Sequence, residues 1–236
     1  CRPRRWLRTG RGVAVDLPYN VRALFEGARC FTVAVRLAIH APPEPGSTAA
    51  ILSAMRGGAR GPVELQLNSD MTVSARYNSA AGIQEAHSAV PLQAGRDTTL
   101  FMTVSALELR LFVDGEQAAD PVLRKGVAEA AGHDAGFPVW LASRANGFGT
   151  RDGWLDASLS HVALWDAAIQ PEAAASLREL GPQLALPRPA LLWQLDETTM
   201  DFALGGGIGV IGSSAPGRAG LSARVATGQA SWSDCI

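Results

Sequence analysis

GWLDASLSHVALWDAAIQPEAAASL, residues 153–177, is the stretch on which the fold turns. Gly153 punctuates its start, and Ser158–Trp165 reads as a β-strand with polar and apolar positions interleaved. A break follows. Pro171 then suits the first turn of a helix, because its missing N–H has no partner there in any case. Glu172, Ala173, Ala174 and Ala175 propagate that helix, Leu177 and Leu180 give it a narrow apolar stripe, and Gly181-Pro182 ends it. A long strand followed by one short, alanine-rich helix able to cap a sheet edge is a β-protein's signature.

Upstream, strand-like runs succeed one another: Gly12–Leu17, Phe31–Ile39, Ala50–Met55, Val63–Asn68, Thr72–Tyr77, Thr98–Val104, Glu108–Val113 and Val139–Ser143. Several alternate with period two. Phe31, Val33, Val35, Leu37 and Ile39 share one face, as do Leu109, Leu111 and Val113, with Arg110 and Phe112 opposite. That pattern marks antiparallel strands with one face on a core. Turn chemistry separates the runs: Pro42-Pro43-Glu44-Pro45-Gly46, Arg56-Gly57-Gly58, Asn68-Ser69-Asp70, Asn146-Gly147 and Asp114-Gly115. The last pair supplies the positive φ angles that a two-residue hairpin needs. Downstream, residues 182–190 read as an extended linker, Ala190–Glu197 as another strand, and residues 203–220 as loop or irregular strands.

The order of these pieces resembles a LamG or concanavalin A-like domain. LRLFVDGEQAA at residues 109–119 is similar to that family's strand and D-G hairpin, and VWLASR at 139–144 to its next strand. Gly153-Trp154-Leu155-Asp156 followed by Val162-Ala163-Leu164-Trp165 is the most specific part of the likeness. VAVDLP at 13–18 and Phe31-Thr32-Val33-Ala34-Val35 resemble the family's early strands, although Arg36 and Leu37 stand where many relatives carry a Trp. The resemblance implies an all-β, concanavalin A-like jelly-roll antiparallel β-sandwich with one short helix. It divides the chain into a basic N-terminal arm at 1–12, a LamG-like sandwich at 13–181, and a linker with C-terminal strands at 182–236 that complete the sandwich. In relatives a segment like LLWQLDE opens the domain, whereas here it begins at residue 191. Circular permutation, strand exchange between chains and a truncated second repeat are the three explanations.

Composition bounds the function. Of 236 residues, 47% are hydrophobic and 18% charged, with 25 Gly and 14 Pro. That balance fits many short strands joined by turns, and it excludes disorder. A net charge of −1 argues against nucleic acid as a partner. No apolar run approaches the length needed to span a bilayer, and the basic first twelve residues do not read as an export signal. Cys1, Cys30 and Cys235 are too few for a disulfide framework and lack metal spacing. They read as three thiols, with a Cys1–Cys235 or Cys30–Cys235 bridge open if the termini meet.

No arrangement of residues points to catalysis. Glucanases on this fold carry a carboxylate cluster of the form E-x-D-x-x-E on one strand, and none is present. Asp196 and Glu197 are adjacent, so on a strand they point opposite ways. His40, His87, His133 and His161 are scattered, and His161 reads as a surface or rim residue. The Gly205-Gly206-Gly207-Ile208-Gly209 run lacks the lysine and helix of a phosphate loop. No cofactor is expected, although the resemblance makes calcium the ion to consider, with Asn146, Asp152 and Asp156 as its candidate ligands. Among six tryptophans, Trp140, Trp165 and Trp193 fall within apolar strands and read as core. Trp154, beside a loop containing Asn146, is the plausible sugar platform.

Two functions stand open. The first is a non-catalytic virion surface protein that decorates, cements or attaches to the fibres of a phage or phage-like particle. Its partners are other chains of a homo-oligomer or capsid and tail proteins, bound through Arg2, Arg4, Arg5, Arg8 and Arg11. The resemblance extends in this direction to LamG-like domains of tailed-phage surface proteins that open on an RPRR-type sequence. The second is a secreted or cell-surface carbohydrate-binding module, with a glycan held at Trp154 and Asn146.

Overall fold

A computed structural model describes residues 5–17, 25, 30–54, 62–79, 81–125, 139–145, 151–169, 191–195, 209–210 and 231–234. Eighteen strands run through them. They are β1 (Arg5–Arg8), β2 (Val15–Leu17), β3 (Phe31–Ile39), β4 (Thr48–Ser53), β5 (Val63–Asn68), β6 (Val73–Ser79), β7 (Gly82–His87), β8 (Asp97–Val104) and β9 (Glu108–Val113). Then follow β10 (Glu116–Gln117), β11 (Val122–Leu123), β12 (Val139–Leu141), β13 (Arg144–Ala145), β14 (Arg151–Asp152), β15 (Ala157–Trp165), β16 (Leu191–Gln194), β17 (Gly209–Val210) and β18 (Ser231–Asp234). The helix expected at 171–181 lies outside the described residues.

Two antiparallel sheets face each other as a jelly-roll sandwich. The first runs β10-β9-β8-β3-β15-β1-β18, with β11 also on β9 and β16 also on β15. The second runs β17-β2-β12-β4-β5-β6-β7, and β13 with β14 forms a small separate ribbon. Alternation decides what lies between the sheets. Phe31, Val33, Val35, Leu37 and Ile39 of β3, Leu100, Met102 and Val104 of β8, and Val63, Leu65 and Leu67 of β5 all enter one buried cluster. Fully burying a side chain of this kind contributes roughly 1.5–3 kcal/mol. The Asp114-Gly115 hairpin forms as its sequence requires, with φ of 55° and 87°, and joins β9 to β10 through Val113 and Glu116.

The opposite face of the first sheet is also apolar. Ala34, Phe101, Phe112, Ala163, Trp165 and Ile169 make a second buried cluster there, with the Phe101 and Trp165 ring centroids 5.7 Å apart. Thr32 Oγ1 fastens the overlying segment by donating to the Ala167 carbonyl (2.8 Å) and accepting from the Ile169 N–H (3.0 Å). Trp165 is thus buried, as expected, but outside the main core. Trp140 is buried too and likewise stands apart from that core.

β15 is central, and this corrects the reading of His161. β3 pairs along one side of β15, while its other side is shared by β1 at Leu159 and β16 from His161 to Leu164. The two short strands meet end to end, where the Leu7 N–H donates to the Leu195 carbonyl at 3.0 Å. Residues 5–8, part of the arginine-rich stretch, therefore lie in the sheet with Leu7 fully buried. A register shift between Leu159 and His161 turns the imidazole outward among its neighbours, yet it is only 2% exposed, near Arg36 and Asp97. Among the described residues its Nε2 has no hydrogen-bond partner. Burial, reinforced by the Arg36 guanidinium and opposed by Asp97, pushes its pKa down to about 4.

That folded pKa is below the ordinary 6.5, so as pH falls the unfolded chain takes up the proton first. The stability contributed by the neutral ring is whole above pH 6.5 and drains away towards pH 4, at about 1.4 kcal/mol per pH unit. His40, lowered by burial and then by Arg8 against the pull of Asp156, adds to the same slope. Urea denaturation across this window should show the loss, roughly 3 kcal/mol from His161 alone. His161→Gln should flatten most of it, and an unchanged slope in that variant would refute the assignment.

Candidate functional site

The β13–β14 ribbon and the segment leading to β15 stand at one rim of the sandwich, and a single guanidinium ties them down. Val63, Leu65 and Leu67 point into the core, so Glu64 and Gln66 point away from it. Glu64 is nevertheless only 2% exposed. A buried carboxylate needs a charged partner, and Arg144 supplies it. Its Nη1 donates to Glu64 Oε1 at 3.0 Å, its Nε to Asp152 Oδ1 at 3.0 Å, and its Nη2 to the Thr48 carbonyl (3.0 Å) and hydroxyl (2.7 Å). Arg76 approaches the other Glu64 oxygen at 3.6 Å and lies 2.9 Å from Glu85. Gly153 makes room for this fork: its φ is +59°, and a Cβ there would sit 2.9 Å from Arg144 Nε.

Around this anchor opens a cleft of about 990 Å³. Its walls come from the β1–β2 turn (Arg8, Thr9, Arg11), the β3–β4 loop (Pro42, Pro43, Glu44) and the ribbon (Arg144, Arg151, Asp152, Trp154, Asp156). Trp154 is part-exposed on this wall while its neighbour Leu155 is fully buried. Three ion pairs line or floor the cleft. Arg8 Nη2 donates to Asp156 Oδ1 at 2.7 Å, Arg144 holds Asp152, and Arg151 Nη2 donates to Asp16 Oδ1 at 2.6 Å. Arg151 also lies 5.7 Å from the centroid of the Trp140 ring. Burial raises the Asp16 carboxyl above its ordinary range, against the opposing pull of Arg151. The Thr9 hydroxyl is 2.9 Å from the Leu155 carbonyl and 3.1 Å from that of Ala157, sewing β1 to this wall.

The structure brings Arg8, Arg11, Asp152, Trp154 and Asp156 to one cleft, although they were singled out for three separate roles. Arg11 lies exposed at its turn. Arg5 pairs in β1 with Asp234 of β18 through the backbone. Arg2, Arg4 and Asn146 lie outside the described residues, as do Cys1 and Cys235, while Cys30 is a free thiol. As candidate calcium ligands, Asp152 and Asp156 are each held by a guanidinium, and no cluster of three or more His, Cys, Asp or Glu able to hold a metal occurs among the described residues. Sequence reasoning missed Arg144, Arg151, Glu64 and Asp16. Their contacts span as many as 135 residues, and no local pattern marks them.

What the arrangement can do chemically is hold polar groups. Its guanidinium–carboxylate pairs offer donors and acceptors side by side, and the part-exposed Trp154 lines the same cleft. Among the described residues of this cleft, Asp152 and Asp156 are each held by a guanidinium, and Glu44 stands exposed at the mouth.

Comparison with known proteins bears on the fold. A sequence profile described as the concanavalin A-like lectin/glucanases superfamily matches residues 11–175. No curated protein sequence matches the chain. Among solved structures, a candidate carbohydrate-binding protein from Bacteroides ovatus superposes with a TM-score of 0.61 at 15% identity over 84% of this chain. The chain spans 53% of that protein's length. The CBM40 domain of the Ruminococcus gnavus IT-sialidase, bound to α2,3-sialyllactose, superposes with a TM-score of 0.58 at 13% identity, covering 75% of this chain and 96% of the domain. The NanB sialidase of Streptococcus pneumoniae (K499G mutant) gives 0.56 at 12% identity, over 75% of this chain and 28% of the enzyme. At such identities the likeness speaks for the fold.

Gly153→Ala should lower stability by about 1–3 kcal/mol, combining left-handed backbone strain with displacement of Arg144 from buried Glu64. Gly10→Ala, whose Cβ meets open space, should change it by less than about 0.5 kcal/mol. Thermal or urea unfolding of the two variants checks the contrast, and equal effects would refute the anchoring role.

Proposed function

Because the chain belongs to the concanavalin A-like lectin/glucanases superfamily, we propose that it is a carbohydrate-binding, lectin-like module that holds a glycan in the rim cleft around Trp154. The observation that carries this reading is the cleft itself. A part-exposed indole shares this cleft with Pro42, Pro43 and the ion-paired side chains of Arg8, Asp156, Arg144 and Asp152. Sugars present apolar C–H faces and polar rims, and binding sites answer with an aromatic surface and a few placed polar groups. The carbohydrate-binding structural neighbours support the same reading. The module acts by binding, and its setting is secreted or cell-surface.

The particle-building reading receives less support. It rested in part on an ordered arginine arm bound to a partner chain, whereas Arg8 directs its charge to Asp156 of its own chain and β1 contributes Leu7 to the core.

A glycan array followed by calorimetry tests the proposal. The full chain should bind at least one glycan class, and Trp154→Ala should weaken that binding at least about tenfold, as expected for loss of an aromatic anchor worth about 1.4 kcal/mol or more. Circular dichroism should show the variant folded. Unchanged affinity in Trp154→Ala would move the site elsewhere on the molecule.

A further inference from the structure

The rim cleft is charge-compensated, and from this we infer that its ligand is a neutral oligosaccharide, bound without calcium. This deepens the carbohydrate-binding reading and rests on it. Of the ionised groups lining the cleft, Arg8 is paired with Asp156, Arg144 with Asp152 and buried Glu64, and Arg151 with Asp16. Arg11 and Glu44, on separate loops of the mouth, are both exposed and opposite in sign. Among the described residues, every guanidinium lining the cleft except exposed Arg11 already faces a carboxylate, and only Arg151 keeps a buried nitrogen, Nη1, without a hydrogen bond. The best partner of an acidic sugar would be Arg11, a solvent-screened charge of the kind that contributes only about 0–1 kcal/mol. Its carboxylate or sulfate would also lie against Asp152 and Asp156.

Hydroxyl groups fit the site better. Each hydroxyl both donates and accepts. Two neighbouring hydroxyls of a sugar ring can therefore donate to a carboxylate oxygen and accept from the adjacent guanidinium of the same ion pair. The pairs are accessible for this: the Arg8 and Asp156 side chains are 35% and 42% exposed, and that of Asp152 is 50% exposed. Hydrogen bonds to ionised groups are about twice as strong as neutral ones, and the ion pairs stay intact when the ligand is uncharged. A divalent cation would need six to eight oxygens. A cation that used Asp152 and Asp156 would compete for both carboxylates with the guanidinium groups of Arg144 and Arg8 that already bind them. The cleft volume of about 990 Å³ accommodates several sugar rings, so an oligosaccharide rather than a monosaccharide is its natural occupant.

The test uses the full chain against matched panels: neutral glucan, galactan, mannan and xylan oligosaccharides, and uronate-containing, sialylated and sulfated ones. The expected result is binding to a neutral panel member. Its affinity should change less than about threefold between low salt and roughly half-molar sodium chloride, where the Debye length has shrunk several-fold. It should be equally indifferent to EDTA, and Asp156→Asn should weaken it about tenfold. Binding confined to acidic glycans, weakened by salt and abolished in Arg11→Ala, would overturn this inference and leave the carbohydrate-binding reading standing. Loss of neutral-glycan binding in EDTA, restored by calcium, would overturn its metal-free part. Failure of every glycan in both panels would sink the carbohydrate-binding reading and this inference together.

Discussion

A carboxylate buried on the outer side of a sheet decides where this molecule can be rigid. Glu64 projects away from the core yet is almost wholly removed from water, and an uncompensated charge there costs several kcal/mol. Arg144 answers it from the ribbon, Arg76 from the next strand, and Arg144 reaches on to Thr48 and Asp152. One planar fork thus fixes β4, β5 and the ribbon relative to one another. Gly153 must lack a side chain for the fork to lie where it does. The position of Trp154 follows, because it is the next residue after the constrained glycine, and Leu155 beyond it is locked into the core. A flexible loop lysine would supply the charge without the geometry.

The same logic of completion governs β15. Its partner on one side is the long β3, while on the other it is assembled from two pieces far apart in sequence, β1 and β16. The hydrogen bond between Leu7 and Leu195 closes the seam between them. The C-terminal strands go to both sheets, β16 and β18 to one and β17 to the edge of the other. They lie beyond residues 11–175, the span matched by the family profile. A tail laid down in this way leaves fewer open sheet edges, which otherwise invite pairing with other chains.

Much of the sandwich was legible because its information is local. The alternation of β3 and β9, the Asp114-Gly115 turn and the Gly153–Asp156 motif each act over a few residues, and each carries a steric or solvation cost for doing otherwise. Strand β7, GIQEAH, gave no such signal, since an edge strand with polar positions need not alternate clearly. His161 was misjudged because the groups around it, Arg36 and Asp97, come from strands far away in sequence, which no local pattern marks. The cleft was half legible. Trp154, Asp152 and Asp156 stood out as a loop cluster, but the charges that neutralise them sit up to 148 residues away. Ion pairing of that kind is set by topology, which no short window contains.

The proposed binding at the rim is consistent with what the described residues show of the two broad faces. On the first sheet the outer face carries Phe101, Phe112 and Trp165, packed together and capped by Ile169. A sugar could reach those rings only by displacing an apolar cluster, losing burial that nothing in a polyol restores. On the second sheet the outer face carries Glu64, Gln66, Ser74 and Arg76, a polar ladder already bonded to itself and to Arg144. A ligand there would have to outcompete charge-assisted bonds that are already formed. At the rim the reverse holds. Trp154 is part-exposed, and the Arg8–Asp156 and Arg144–Asp152 pairs in the same cleft are accessible. A sandwich whose two faces are used for its own cohesion leaves its loops to meet the outside, and here the Arg144 guanidinium ties the ribbon to β4 and β5.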